Sequence, residues 1–228
     1  MKKFFIHSMG CKANQFEGSV IKENLTKNGM LEAENIEDAD IYILNSCTVT
    51  HKSDNEAMYL LRNAKHKNNN IINIITGCFA QIEKDKLIDY DFIDFVVGND
   101  DKLKLSEVLR QHHPESKTIQ VSDIMQKTDF TYVPLNDTTK TRANLKIQDG
   151  CNNRCSYCII PFARGNSRSA NENFIIEQIN NFEEHSFKEV VFTGIHIGLW
   201  GKEFNKSLLD LLKVVEEKTN IPRYRLGS

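Results

Sequence analysis

No apolar run in the 228-residue sequence approaches the ~18 residues that a membrane-spanning helix needs. A secretory signal is missing as well: Met1-Lys2-Lys3-Phe4-Phe5-Ile6 supplies basic residues but too short an apolar stretch. Nor is there an excess of one charge, since 29 basic and 31 acidic side chains leave a formal charge of −2. With 40% hydrophobic and 26% charged residues, that balance argues against a disordered chain. Internal repeats and low-complexity blocks are absent, and residues 67–70 are only a short polar stretch typical of a surface turn. What remains is an ordinary globular protein, expected in the cytoplasm with no membrane partner. At roughly 100–200 residues per domain it forms one large domain or two modest ones.

Six cysteines are present, and in a reducing compartment they are metal ligands or catalytic groups more readily than disulfides. Cys11, Cys47 and Cys78 lie far apart, whereas Cys151, Cys155 and Cys158 are crowded together.

Short apolar runs alternate with amphipathic stretches over the first half. Strands are expected at 3–8, 40–45, 70–76 and 95–97, and helices at 14–27, 53–65, 79–87 and 101–111. Such alternation implies βαβ units and a mostly parallel sheet. The rhythm fails between about 112 and 141, where Pro114 and Pro134 interrupt polar sequence. A linker with one paired extended segment is expected there. Strands then follow at 144–148, 189–193 and 223–226, with helices at 171–184 and 207–218. The expected fold class is therefore α/β, with an amino-terminal doubly wound domain over 1–113, a linker over 114–141 and a second domain over 142–228. A parallel sheet of three strands leaves an edge uncovered, so that second domain reads as incomplete.

Charge is uneven within this frame. Lys140, Arg142, Lys146, Arg154, Arg164 and Arg168 are opposed between 140 and 168 by Asp149 alone. A solvated surface is the commoner explanation of such a run, but its overlap with the crowded cysteines makes an anionic ligand or nucleic acid more plausible than the whole-chain charge suggests.

Cys151-Asn152-Asn153-Arg154-Cys155-Ser156-Tyr157-Cys158 directly follows an expected strand and Gly150. Three thiolates this close can hold three corners of a cubane iron–sulfur cluster and leave the fourth iron open. A zinc knot is the alternative, but it needs a fourth Cys or His nearby, and the next histidine is His185. The CxxxCxxC array resembles the signature of the radical S-adenosylmethionine (SAM) superfamily. That resemblance implies a [4Fe–4S] cluster on Cys151, Cys155 and Cys158, SAM bound at its open iron, and reductive cleavage to a 5′-deoxyadenosyl radical. It further implies a full or partial (β/α) barrel, with Tyr157 packing near the adenine.

Cys11, Cys47 and Cys78 follow the first three expected strands. The carboxyl ends of adjacent parallel strands converge on one crevice, so these three can meet in space. Buried free thiols acting as small hydrophobes are the alternative. Ser8-Met9-Gly10-Cys11-Lys12-Ala13-Asn14, Asn45-Ser46-Cys47-Thr48-Val49-Thr50 and Thr76-Gly77-Cys78-Phe79-Ala80-Gln81 resemble the three segments of the amino-terminal methylthiotransferase domain. The resemblance implies a second, auxiliary [4Fe–4S] cluster on Cys11, Cys47 and Cys78, where sulfur or a methylthio group is held. Lys146-Ile147-Gln148-Asp149-Gly150-Cys151 and the segment Ile159 to Ser169 look most like the threonylcarbamoyladenosine tRNA branch. Thr193-Gly194-Ile195-His196-Ile197-Gly198 looks like the family segment that helps form the SAM site.

By this resemblance the substrate is C2 of N6-threonylcarbamoyladenosine-37 in a tRNA anticodon loop, and a reducing electron-transfer protein and a sulfur donor are needed as partners. The alternatives are isopentenyladenosine-37, a ribosomal protein, a truncated non-catalytic iron–sulfur protein, or a zinc-stabilised nucleic-acid-binding module. Arg164 and Arg168 are candidates for SAM or phosphate contact, since guanidinium groups suit carboxylates and phosphates. Gly194 and His196 are candidates for the SAM site. Tyr157, Phe162 and Trp200 could stack on a splayed base, although core packing is the commoner role for each. His51, His112 and His113 have no evident partner. The whole chain reads as ending within the barrel, short of the usual family length.

Overall fold

The computed structural model describes residues 1–110, 117–134 and 141–227. His112, His113 and Lys140 lie outside these, as does the expected boundary at 113/114.

The first half is a six-stranded, wholly parallel sheet in the order β2-β1-β3-β4-β5-β6. Its strands are β1 (Lys3–Ser8), β2 (Leu31–Glu32), β3 (Ile41–Ser46), β4 (Ile72–Gly77), β5 (Phe95–Val97) and β6 (Thr118–Gln120). Between them run α1 (Lys12–Lys27), α2 (His51–Lys67), α3 (Cys78–Ile82), α4 (Lys84–Leu87) and α5 (Leu105–Arg110). Every residue of β3 is buried, because helices cover both faces. Ile41 and Ile43 pack with Ile21 and Leu25 of α1 and Leu105 of α5. Tyr42 and Leu44 point the other way, onto Ala57, Leu61 and Ala64 of α2. Side chains alternate across a strand, so a continuous apolar run here means a sheet buried on both sides. The fold is doubly wound, as the pattern implied.

The second half holds a parallel sheet in the order β11-β10-β7, from β7 (Ala143–Lys146), β10 (Val190–Thr193) and β11 (Tyr224–Gly227). Its core joins Leu145, Val190 and Phe192 to Ile175, Ile179 and Phe182 of α7 (Glu172–Glu184) and to Leu211 and Val215 of α8 (Leu208–Lys218). A short antiparallel pair, β8 (Gln148–Asp149) with β9 (Arg168–Ser169), flanks a one-turn helix α6 (Ile160–Arg164).

Several expectations shift in detail. The strand expected at 144–148 breaks after Lys146, and Gln148–Asp149 turns away to pair with β9. The helix expected over 79–87 is two helices, interrupted at Glu83, whose φ −113 and ψ 29 leave the helical region. The helix expected over 101–111 starts as a 3₁₀ turn, Asp101–Lys104, before α5. The paired segment expected within 114–141 is β6, which extends the first sheet beside β5.

Candidate iron–sulfur site

Cys11 caps α1 three residues beyond β1, Cys47 lies one residue beyond β3, and Cys78 opens α3 directly beyond β4. These are three neighbouring strands, so parallel topology brings the cysteines to one end of the sheet. Gly10 shows how closely two of these loops approach. It sits at φ +78, and a Cβ there would lie 2.8 Å from Cys47 Cβ and 2.9 Å from its Sγ. Burial pushes the Cys47 thiol up, the Cys78 and Cys11 sulfurs push the same way, and the Val49 amide and Arg164 oppose them.

Asparagines hold the strand ends in place. Asn14 Nδ2 donates to the carbonyls of Met9 (3.0 Å), Asn45 (3.3 Å) and Ser46 (2.8 Å), while Asn45 Nδ2 donates back to Asn14 O at 2.8 Å. Ser46 Oγ donates to Thr76 O at 2.5 Å. Asn99, just past β5, donates from Nδ2 to Cys78 Sγ at 3.7 Å and to Ala163 O at 2.7 Å.

Beneath these loops lies a buried ion network that joins the two halves of the chain. Glu17 of α1 receives Lys102 Nζ at 2.5 Å, Lys146 Nζ at 2.7 Å and Arg164 at 2.9 and 3.0 Å. Asp149 receives Lys146 at 3.1 Å, Arg164 at 3.0 Å and Arg168 at 3.3 Å. Four cations thus share two carboxylates, and all six side chains are at most 10% exposed. Burial pushes the Glu17 carboxyl up, yet Arg164, Lys102 and Lys146 pull it well below the usual carboxylate range. Lys102 is held below its ordinary value by burial first; Glu17 opposes that shift, and the like charge of Arg164 adds to it.

This network corrects the expectation for Arg164 and Arg168. Both are buried, and their guanidinium groups are committed internally, so neither forms an open anion-binding surface. Arg164 also donates to Asn14 Oδ1 at 2.8 Å, and Arg168 donates to the carbonyls of Arg164 and Asn166 at 2.7 and 2.9 Å. Of the basic run read between 140 and 168, Lys146, Arg164 and Arg168 are therefore internal, whereas Arg142 and Arg154 are exposed. Trp200 takes the core-packing role: it is fully buried, donates to Ala170 O at 2.9 Å, and offers no stacking face.

The crowded cysteines occupy the loop after β8, with Cys155 exposed and Cys151 and Cys158 half-buried. Tyr157 at 90% exposure and Phe162 at 57% stand open beside them. Gln148 anchors the entrance to this loop. Its Nε2 donates to Gly150 O at 2.7 Å and Ser167 Oγ at 3.0 Å, while its Oε1 accepts from the amides of Ile195 and His196 at 3.1 and 2.7 Å. Gly194 packs against Gln148 so closely that a Cβ would lie 2.8 Å from the Gln148 carbonyl oxygen. The Cys151 loop and the Gly194–His196 segment are thereby fixed to one side chain. His196 is exposed and precedes a 3₁₀ turn, Ile197–Leu199. His51 opens α2 and is exposed, its Nδ1 lying 4.0 Å from Asp54.

Sequence reasoning missed Asn14, Glu17, Asn99, Lys102 and Gln148. One signal was available: Asn14, Glu17, Gly18 and Ile21 fall on one helical stripe of α1, placing a carboxylate where apolar residues are due.

Among the described residues, no three His, Cys, Asp or Glu side chains form a preformed metal-ligand set. The donor chemistry nonetheless fits iron and sulfide. Each set offers three soft sulfur atoms and no oxygen ligand, a choice that selects iron–sulfur clusters or zinc over hard cations.

Residues 3–98 match the family described as "Uncharacterized protein family UPF0004". The threonylcarbamoyladenosine tRNA methylthiotransferase MtaB of Bacillus subtilis is 35% identical, aligned over 97% of this chain and 50% of its own length. MtaB of Aquifex aeolicus is 33% identical over 99% of this chain and 56% of its own. The chain is homologous, over nearly its whole length, to methylthiotransferases. It spans about half the length of the curated relatives it matches. Another methylthiotransferase relative, the tRNA-2-methylthio-N(6)-dimethylallyladenosine synthase of Dictyoglomus thermophilum, is 30% identical over 99% of this chain and 52% of its own. In fold, the chain resembles the radical SAM methyltransferase TsrM from Kitasatospora setae, with a TM-score of 0.56 at 12% identity over 95% of this chain and 51% of that one.

Proposed function

We propose that this chain carries the two iron–sulfur sites of a tRNA methylthiotransferase acting on C2 of N6-threonylcarbamoyladenosine-37. The observation that carries this reading is the gathering of Cys11, Cys47 and Cys78 at one end of the first sheet, joined by a buried ion network to the loop of Cys151, Cys155 and Cys158. The first sheet, which takes in β6 from the segment expected as a linker, then serves the auxiliary cluster, and 142–228 serve the radical site.

Each cysteine set would hold a [4Fe–4S] cluster with one open iron, supplying electron transfer to SAM at one site and a seat for sulfur at the other. The chain's own residues perform positioning. Gln148 holds the Cys151 loop against Gly194 and His196, which would border SAM. Asn14 ties the Cys11 and Cys47 loops together. Tyr157 and Phe162, open to solvent, offer ring faces for SAM adenine or a splayed anticodon-loop base. The substrate tRNA, a reducing electron-transfer protein and a sulfur donor are the partners this chemistry requires, and a cytoplasmic site of action follows from them.

Iron and acid-labile sulfide after anaerobic reconstitution test the cofactor reading: about eight of each per chain is expected for two four-iron clusters, and zinc without sulfide refutes it. Nucleoside mass analysis of tRNA from a deletion strain tests the substrate. Loss of methylthio-threonylcarbamoyladenosine is expected. Loss of the methylthio-isopentenyl nucleoside instead would assign the second reading, which the 30% identity to the dimethylallyladenosine synthase keeps in play.

A further inference from the structure

We propose that Asn99 is a positioning residue for the Cys78 sulfur, and that its amide raises the reduction potential of a cluster bound there. The inference rests on the auxiliary-cluster reading above. Asn99 stands at the carboxyl end of β5, the strand next to β4, so a fourth strand end contributes to the crevice of the three cysteines.

Its orientation is determined from three sides. The backbone amide donates to Gln81 Oε1 at 2.8 Å, fixing the residue at the base of the loop. Oδ1 accepts from Lys102 Nζ at 2.7 Å, so the oxygen must face the lysine. Nδ2 therefore faces the other way, where it donates to Ala163 O at 2.7 Å and to Cys78 Sγ at 3.7 Å. A primary amide has two N–H donors, and both are used. The flip usually left to assignment is settled here by an obligate donor on one side and an obligate acceptor on the other.

The chemistry follows from this geometry. A hydrogen bond to a cluster sulfur favours the more negative, reduced state and so raises the potential. Lys102 strengthens the effect, because a cation on the amide oxygen polarises the N–H groups toward the sulfur. Lys102 is itself held by Glu17, and Ala163 adjoins Arg164 in α6. The environment of Cys78 is thus set partly by groups from the second half of the chain.

The test uses the full chain with Cys151, Cys155 and Cys158 replaced by alanine, so that the auxiliary cluster alone is reconstituted and titrated by EPR. Asn99→Leu removes the donor without adding charge. At the parent midpoint its oxidised-to-reduced ratio should rise about tenfold, the worth of one hydrogen bond to a charged group. Asn99→Asp keeps the shape and the Lys102 partner but turns an acceptor toward the sulfur, so its ratio should rise further. If either variant retains about four irons and the parent midpoint, the inference is overturned while the cluster reading stands. Loss of the cluster from both variants, with an unchanged melt of the apo chain, also overturns it, since a tuning donor leaves the cluster in place. A parent protein that takes up no iron and sulfide overturns the cluster reading and this inference with it.

Discussion

Replacing Glu17 by glutamine should unfold the chain more easily than any exposed charge change. The side chain keeps its volume, so no cavity forms and the effect is that of charge alone. In the native protein the carboxylate faces Lys102, Lys146 and Arg164, all nearly inaccessible to solvent. The network already holds four cations against two carboxylates, and the substitution leaves Asp149 alone to balance all four. A carboxamide still accepts one or two of the bonds, but its N–H groups point donors at donors. Breaking a buried pair by neutralising one partner costs about 3–5 kcal/mol. For a chain of this size each kcal/mol moves the melting temperature by about 2–4 °C, so a fall of roughly 6–20 °C is expected. Thermal unfolding followed by far-UV circular dichroism measures it. Glu37→Gln is the control, because Glu37 is exposed and its ion pair, with Lys67 at 2.7 Å, lies in solvent; it should leave the melt unchanged. A Glu17→Gln melt within about 1 °C of the parent would refute the view that this network holds the halves together.

The same carboxylate predicts a pH dependence. Burial raises Glu17, but Arg164, Lys102 and Lys146 lower it more, so its stabilisation is present above the unfolded carboxyl value of about 4.3 and is lost as pH falls through the lower folded value. The gap in melting temperature between parent and Glu17→Gln should therefore narrow as pH falls below about 4; a gap that stays constant from pH ~7 to ~3 would contradict it. Gly150→Ala should destabilise by about 2 kcal/mol or more, because φ is +69 and the added Cβ would lie 2.0 Å from Asn166 O. An unshifted urea midpoint would show that the loop relaxes freely. Gln148→Leu should speed hydrogen exchange at the Ile195 and His196 amides while Phe192 stays protected, since only the former two donate to the lost side-chain oxygen.

Much of the architecture was legible because burial on both faces leaves a continuous apolar signature. The apolar run at 41–44 reads as an interior strand of a covered sheet, and β4, β5 and β10 are buried in the same way, whereas β1 fully buries only Phe4. The cysteines were legible through topology, since each of Cys11, Cys47 and Cys78 follows a strand that runs in the same direction. What stayed hidden depends on pairing across long sequence separations. Arg164 reads as a surface cation because its partner Glu17 is 147 residues away. The acceptor that secures Trp200 in the core, Ala170 O, is likewise out of local reach at 30 residues upstream. The β8–β9 pair was missed for a simpler reason: two residues per strand are too few to show a period.

The way the two halves meet bears on how the two cysteine sets are aligned. An apolar interface tolerates sliding, because hydrophobic attraction has no direction. Ion pairs with bidentate guanidinium geometry do not. Arg164 is bonded at once to Asn14 and Glu17 in the first half and to Asp149 in the second. Asn14 in turn holds the carbonyls beside Cys11 and Cys47, and Asp149 Oδ1 accepts the Gly150 amide immediately before Cys151. A shift of one half past the other would break bonds to a buried charge before it moved either cysteine set. That cost makes docking all-or-none. The same side chains that resist sliding therefore set the spacing between the loop of Cys151 and the crevice of Cys11, Cys47 and Cys78, and a reaction that uses both would depend on that spacing.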